Sequence, residues 1–296
     1  MNADGLVIRA MAKCEGIIMA RVGIVLHGED ERALLEAERL AGQLIKDGHE
    51  VVAAVEDASR LSEMNRLEVE DFPAGLDLAV SLGGDGTMLR TVAQLKGADV
   101  DILGVNFGDL GYLTVTEPHG LDQAIARWLS GDYKVEERML VAGTVGGSTF
   151  HALNDIVVER APGTTTIRLR LTIDGKPFTS YPADGVIVST PTGSTAYALS
   201  ARGPIVYPTH SAIQVTPVSP HTLFDRSLVL RPDALVELTL VDHRQAVVSV
   251  DGNTMHTMDP GDTIVCTQSV RTAKLITFDR RDNLAVLKAK LGLPDR

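Results

Sequence analysis

Apolar positions in the first part of the chain change period again and again. Val22–Leu26 is a short apolar run, and after it Leu34, Ala37, Ala41, Leu44 and Ile45 recur at helical spacing until Asp47-Gly48 closes the stretch. Val51–Val55 is apolar again. Two short β runs around a helix of about sixteen residues predict a βαβ unit, and hence parallel strands. The alternation continues with a strand at Leu78–Leu82, a helix over Met88–Leu95 and a strand at Ile102–Val105. Leu121, Ile125, Trp128 and Leu129 then mark a helix that stops at Gly131. Residues 21–131 therefore read as an α/β domain built on a parallel sheet.

Beyond residue 132 the period shortens to two. Ile167, Leu169, Leu171 and Ile173 alternate with Thr166, Arg168, Arg170 and Thr172, which predicts a strand with one solvated face. Asp174-Gly175 follows as a hairpin turn, and Asp251-Gly252 repeats the device after Val247–Val250. Short runs at Leu228–Leu230, Leu235–Leu240, Thr263–Thr267 and Lys274–Phe278 make residues 132–276 a mainly β domain. A final helix carries Leu284, Leu287 and Leu291 on one face, so residues 277–296 are expected to pack back on the first domain. Residues 1–20 are interrupted by Asp4, Arg9, Lys13 and Glu15, so they lack a signal peptide's apolar stretch and read as a variable leader. A chain of 296 residues accommodates the two domains this pattern implies.

Composition narrows the partners. With 28 Lys and Arg against 39 Asp and Glu, the formal charge of −11 opposes nucleic-acid binding by phosphate neutralisation. No apolar run approaches the roughly 18–20 residues of a membrane span, so no membrane partner is expected. Two cysteines, Cys14 and Cys266, make no disulfide framework and suit a cytoplasmic protein. The histidines show no metal-binding spacing and read as surface or packing residues, with His221 the one to watch.

Leu82-Gly83-Gly84-Asp85-Gly86-Thr87 carries the strongest chemical signal. Gly-Gly and Asp-Gly are ordinary turn signals, yet a hairpin would need a strand next, and Met88, Leu89, Val92 and Leu95 have helical spacing. A glycine-rich strand-to-helix turn lets backbone N–H groups approach phosphate, and the helix N-terminus favours negative charge. Asp85 would stand at the carboxyl end of a parallel strand, where open α/β sheets place ligands. The loop is neither a GxxxxGK[ST] phosphate loop nor a GxGxxG turn, since Leu89 stands where the third glycine belongs.

In the second constellation the strand after Asp184 runs into Ser189, Thr190, Thr192, Ser194 and Thr195, five hydroxyls in seven residues. Capping a short helix accounts for one or two; the surplus suits a hydroxylated or phosphorylated ligand, and Tyr197 offers a face for a base. Asn154-Asp155 within Ala152–Val158 reads on its own as a turn or bulge.

Taken together these stretches resemble the bacterial members of the ATP-dependent NAD kinase family. The GGDGT loop at Gly83–Thr87, the Asn154-Asp155 pair and the DGxxxSTPTGSTAYxLS run at Asp184–Ser200 match that family's motifs in order and spacing, and Gly104–Leu113 resembles its other recurrent stretch. GGDG alone is shared with phosphofructokinases and with lipid kinases of the diacylglycerol type; the TPTGSTAY run is the specific part. The resemblance implies an α/β nucleotide domain, a β-rich second domain and an active site between them. It implies transfer of the γ-phosphoryl group of ATP to the 2′-hydroxyl of the adenosine ribose of NAD, giving NADP. Asp85 corresponds to the catalytic carboxylate. Gly86, Arg90, Phe107, Asn154, Asp155, Asp184, Thr195, Ala196, Tyr197, Ser200 and, more weakly, Asn253 correspond to the NAD pocket. Gly83, Gly84, Thr87, Thr192, Gly193 and Ser194 correspond to the phosphate or ATP site.

The resemblance further implies Mg²⁺ arriving with ATP, with no protein metal ligand named, and a homodimer or homotetramer. Three positions depart from the family pattern. Asp155 is often Glu, Arg202 stands where the first glycine of a Gly-Gly-Pro turn is usual, and Asn253 stands where Gln is common. The alternatives are a lipid-alcohol kinase, which the acidic charge disfavours, and an NAD(P)-binding sensor without turnover, which the intact Gly83–Thr87 loop disfavours. Because that loop holds no Lys or Arg, binding of polyanions must lean on backbone amides, a helix terminus and Mg²⁺.

Overall fold

The computed structural model describes residues 19–28, 30–61, 65–67, 71–108, 110–278 and 282–293. Nearly all of the leader, together with Cys14 and Asp109, lies outside them. The described chain divides into two units, one formed by residues up to Glu136 together with Lys274 onward, the other by Glu137–Ala273.

In the first unit, β1 (Arg21–Leu26), β2 (Glu50–Ala54), β3 (Asn65–Leu67), β4 (Leu78–Gly83) and β5 (Asp101–Asn106) are all parallel, in the order β5-β4-β1-β2-β3. Residues Val22–Leu26, Leu78–Gly83 and Ile102–Asn106 are buried throughout, which is why they read as continuous apolar runs and not as alternations. The chain leaves β1 toward β2 on one side and later returns to pair β4 on the other. The turns after β1 and β4 therefore diverge from a common edge, the switch point at which open parallel sheets form a crevice.

Helix α1 (Glu31–Lys46) starts at Asp30, whose side chain accepts the Arg32 N–H. Its core face is Ala33, Ala37, Leu40, Ala41 and Leu44. That face is rotated from the expected stripe: Ile45 is exposed and Leu34 only half-buried, because the small Ala33 and Ala37 and the larger Leu40 fit the sheet surface. Val55 opens a short helix, α2 (Val55–Ala58), instead of ending β2. Helix α3 (Asp85–Leu95) begins three residues earlier than its apolar spacing showed, so the glycine-rich turn is partly its first turn. Helix α4 (Leu121–Leu129) buries Leu121, Ala124, Ile125 and Trp128 but leaves Leu129 exposed.

The second unit is antiparallel. One sheet holds β8 (Asp155–Arg160), β11 (Gly185–Ser189), β12 (Ile213–Val218), β13 (Leu228–Leu230), β15 (Ala246–Val250) and β16 (Asn253–Met258), ordered β13-β12-β11-β8-β15-β16. The other holds β9 (Ile167–Ile173), β10 (Lys176–Ala183), β14 (Val236–Leu240) and the first part of β17 (Thr263–Thr277), together with β6 (Lys134–Val145) and β7 (Ser148–Ala152). Side chains from both sheets, among them Val158, Val186, Val188, Leu169, Leu171, Tyr181 and Leu238, share one apolar core. Both Asp-Gly turns behave as expected: Asp174 and Gly175 have φ of 50° and 72°, and Asp251 and Gly252 have φ of 46° and 82°. This is the two-residue hairpin turn that matches strand twist, with Ile173 paired to Lys176 and Val250 to Asn253.

The chain returns to the first unit through Lys274 and Leu275 of β17, which pair parallel with Asp101 and Ile102 of β5. Helix α6 (Asn283–Lys290) follows, started by Asp282, whose side chain accepts the N–H groups of Leu284 and Ala285. Its leucine stripe does not enter a core: no residue of the helix is buried, and Leu284 is 62% exposed.

The rotation of α1 sets a direct contrast. Leu40→Ala should cost about 2–5 kcal/mol of stability and Ile45→Ala under about 1 kcal/mol, measured by urea unfolding at a constant m-value.

Candidate active site

The switch point of the first unit holds a cavity of about 420 Å³, lined by Leu26, His27, Gly28, Asp30, Arg32, Gly83, Gly84, Gly86, Thr87, Arg90, Asn106, Phe107 and Gly108. Backbone bonds tie its rim together, His27 N–H donating to the Leu82 carbonyl at 2.8 Å and Phe107 N–H to the Gly83 carbonyl at 2.9 Å. Gly84 is the residue before α3 and supplies no side-chain cap, so the first N–H groups of that helix face the glycine turn. A Cβ at Gly84 or Gly86 would meet nothing within 4 Å, which leaves open space above the turn. Gly83 is different: a Cβ there would lie 2.1 Å from the Thr87 hydroxyl.

Two arginines stand at this cavity. Arg90 donates to the Leu26 carbonyl at 3.0 Å and pairs with Asp57, which is 2% exposed. The ligand contact expected of Arg90 must therefore come from what that clamp leaves free. Arg32 reaches Asp30 at 2.7 Å and the Phe107 carbonyl at 2.8 Å while its side chain stays 71% exposed. The Arg32 guanidinium holds the Asp30 carboxyl down to about 2. Phe107 itself is 8% exposed and joins the apolar core, so its backbone is what the cavity shares most directly.

Asp85 begins α3, between two cavity-lining glycines. Its Oδ1 accepts the Leu113 N–H and its Oδ2 the Tyr112 N–H, both at 2.9 Å. Lys290 of α6 donates to Oδ2 at 3.1 Å and lies 4.5 Å from the centroid of the Tyr112 ring. A Cβ on Gly111 would stand 2.8 Å from Asp85 Oδ1 and 2.4 Å from the Thr114 hydroxyl, so the close approach of the Gly111–Leu113 backbone requires glycine. The Gly111-Tyr112-Leu113 backbone and Lys290 are the site residues that motif reading left without a role.

The hydroxyl-rich run of the second unit is mostly engaged with itself. Thr190 donates to the Leu153 carbonyl and accepts the Gly193 N–H at 3.1 Å. The Ser194 hydroxyl, fully buried, reaches the Pro191 carbonyl at 2.6 Å and accepts the Val206 N–H at 2.9 Å. Thr195 donates to the Thr192 carbonyl at 3.1 Å, and Arg138 donates to Thr192 at 3.2 Å. The surplus of hydroxyls thus builds the turn, in which Thr192, Gly193 and Ser194 are buried and bonded within the protein. Gly193 is obligatory because a Cβ would lie 2.1 Å from the Asn154 carbonyl oxygen. What the turn presents outward is Tyr197, 40% exposed, followed by Ser200, also exposed.

Asn154 and Asp155 are fixed by a residue whose sequence signal was only a turn. The Asp251 carboxylate accepts the N–H groups of Leu153 and Asn154 at 2.8 Å and of Asp155 at 3.1 Å. Asp155 opens β8 and is 5% exposed. Burial, and then the Asp251 charge, push its carboxyl from 3.8 up to about 7. Asp184 accepts from Arg160 at 3.1 Å. Burial, with the charges of Glu159, Asp184 and Asp155, pushes the Tyr197 hydroxyl up as well. Asn253 is exposed and donates weakly, at 3.4 Å, to the Asp251 carbonyl. Arg202 takes the left-handed conformation, φ 66°, just after α5 (Tyr197–Ser200), which explains why glycine suits that position better.

Among the described residues no group of three or more His, Cys, Asp or Glu side chains is gathered to hold a metal ion, and no helix is long and apolar enough to cross a membrane. A parallel sheet with a glycine turn, a helix N-terminus and an ordered carboxylate at its switch point defines a nucleotide-binding α/β protein. The family model described as the ATP-NAD kinase N-terminal domain matches residues 22–133, and the ATP-NAD kinase C-terminal domain matches residues 153–278. The NAD kinase of Heliobacterium modesticaldum is 38% identical over 279 residues, covering 92% of this chain and 99% of that protein. A yeast NADH kinase solved in complex with NADH superposes with a TM-score of 0.88 at 26% identity, over 94% of this chain and 89% of the other. An NAD kinase from Archaeoglobus fulgidus in complex with ATP gives 0.73 at 26% identity, over 93% and 100%. The chain belongs to the ATP-NAD kinase family.

Two expectations follow from this geometry. Gly111→Ala should press its Cβ against the Thr114 hydroxyl and Asp85 Oδ1, two side-chain ends that can shift without the backbone, lowering turnover at least about tenfold with little change in thermal midpoint. Because the folded-state value of Asp155 lies above its unfolded value, the folded state holds the proton more tightly, and this group's contribution to stability falls as pH rises from about 4 to about 7. The thermal midpoint of Asp155→Asn should accordingly gain on that of the unmodified protein between pH 5 and pH 8. A constant difference would remove the buried-acid account.

Proposed function

We propose that the chain makes NADP by moving the γ-phosphoryl group of ATP to the 2′-hydroxyl of the adenosine ribose of NAD, with Asp85 as the group that takes the hydroxyl proton. The reaction is that of its family; the observation that carries the residue assignment is the Asp85 carboxylate, fixed by two backbone N–H groups beside the glycine turn. A carboxylate is a weak base toward an alcohol, but it can accept the proton late, once the oxygen is bonding to phosphorus. The hydroxyl oxygen forms the new P–O bond, its proton passes to Asp85, and the bond to the leaving ADP breaks with its electron pair.

The cavity residues Gly83, Gly84, Gly86 and Thr87 supply backbone donors and a helix N-terminus for phosphate, and Arg32 is an exposed cation of the same cavity. Asn154, Asp155, Asp184, Ala196, Tyr197 and Ser200 are assigned to NAD, with Asp251 holding the first two in place. Asp30, the carboxylate lining the cavity, is paired with Arg32, a donor set that suits a nucleotide bringing its own cation. Mg²⁺ would neutralise the transferring phosphate, held by nucleotide oxygens and water, and no protein ligand is assigned to it. A cytoplasmic homodimer or homotetramer accords with the sparse cysteines and with exposed apolar side chains such as Leu223 and Val270.

Asp85→Asn should lose most turnover, about a hundredfold or more, while NAD binding is retained. Coupled NADPH formation reads the first and calorimetric titration with NAD the second. Turnover near that of the unmodified protein would remove the base role.

A further inference from the structure

Helix α6 reaches the catalytic carboxylate without being anchored by a core of its own. None of its residues is buried, Leu284 and Leu291 of its leucine stripe are exposed and Leu287 only half-buried, and it is started by Asp282 and ended by Lys288 and Lys290, the charges that suit the two ends of a helix. Its point of polar contact with the site is the Lys290 ammonium, 3.1 Å from Asp85 Oδ2 and above the Tyr112 ring. A carboxylate offers about four acceptor directions, two on each oxygen. Oδ2 accepts from Tyr112 and Lys290, whereas Oδ1 accepts only from Leu113 among the described residues.

We infer that Lys290 is a positioning residue for phosphoryl transfer: by filling Oδ2 it leaves Oδ1 as the oxygen that meets the ribose hydroxyl, and it keeps the carboxylate from rotating. The hydroxyl proton passes to Oδ1 as the new P–O bond forms and the bond to ADP breaks with its electron pair. Lys290 exchanges no proton in this step and acts through Asp85. The inference rests on the assignment of Asp85 as the proton acceptor.

A cycle of four full-length proteins tests it: unmodified, Asp85→Asn, Lys290→Met and the double variant, with Lys290→Arg as the charge-keeping control. Thermal midpoints should barely move for the Lys290 variants, since no core packing is lost. Lys290→Met should lower kcat about tenfold or more while KM for NAD stays within about twofold. Lys290→Arg should restore a large part of the loss, and Lys290→Met should add nothing on Asp85→Asn. An unchanged or raised kcat in Lys290→Met, or an equal further loss on Asp85→Asn, would overturn the role of Lys290. Full turnover in Asp85→Asn would instead bring down the assignment of Asp85, so the two failures are distinguishable.

Discussion

The reversal of strand order between β1 and β4 is the constraint on which the glycine-lined crevice of the molecule depends. Two parallel strands whose following turns diverge leave a crevice that neither turn fills. Every feature of the cavity follows from what can stand there. His27 and Gly28 end one strand, Gly83 and Gly84 the other, and the backbone of Phe107 closes the third side by bonding to Gly83. A side chain on Gly84 or Gly86 would stand in that open space, while one on Gly83 would collide with Thr87. The same turn starts α3 and so points helix N–H groups into the crevice. The carboxylate that follows is a consequence of placing Asp at the first helical residue.

This arrangement reconciles an acidic protein with polyanionic substrates. A net charge of −11 describes the whole surface, whereas the crevice presents peptide dipoles and two guanidinium groups. The two differ in availability. Arg90 is clamped by the buried Asp57 and by the Leu26 carbonyl, which makes it part of the wall. Arg32 is held only by the surface carboxylate of Asp30 and by the Phe107 carbonyl. An exposed ion pair of that kind is worth little and can be exchanged for a phosphate at small expense. Fixed dipoles for placement and one exchangeable cation for neutralisation are what phosphoryl transfer asks of a protein.

Local periodicity makes much of this legible in the sequence. Buried parallel strands announce themselves as apolar runs, and Asp-Gly turns require the positive φ found at residues 174, 175, 251 and 252. The glycine turn was readable because a strand followed by helical spacing excludes a hairpin. What stayed hidden was long-range pairing. Nothing in Asp251-Gly252 beyond a turn signal shows that its carboxylate collects three N–H groups nearly a hundred residues upstream. Nothing in the last helix shows that Lys290, 205 residues from Asp85, reaches it. The α1 core face departs from its apolar stripe for a related reason. Composition weights Ile45 above Ala33, whereas the sheet surface selects by fit.

The hydroxyl-rich turn reveals how far a motif can be a structural device. Thr190 and Ser194 hold the turn by bonding its own backbone and that of Leu153 and Val206. Gly193 lets the turn lie against the Asn154 backbone. Asp251 holds the same stretch from the other side, and burying it beside Asp155 raises both carboxyls above the ordinary range. Such a pair is unfavourable for the isolated fold once both carboxyls ionise; burial is the reason at both, joined at Asp155 by the Asp251 charge. Three N–H bonds to Asp251 offset part of that penalty; Asp155 has no comparable backbone donors among the described residues. The unfavourable charge therefore concentrates on Asp155, a buried acceptor beside Asn154 that any hydrogen-bond donor brought against it would relieve.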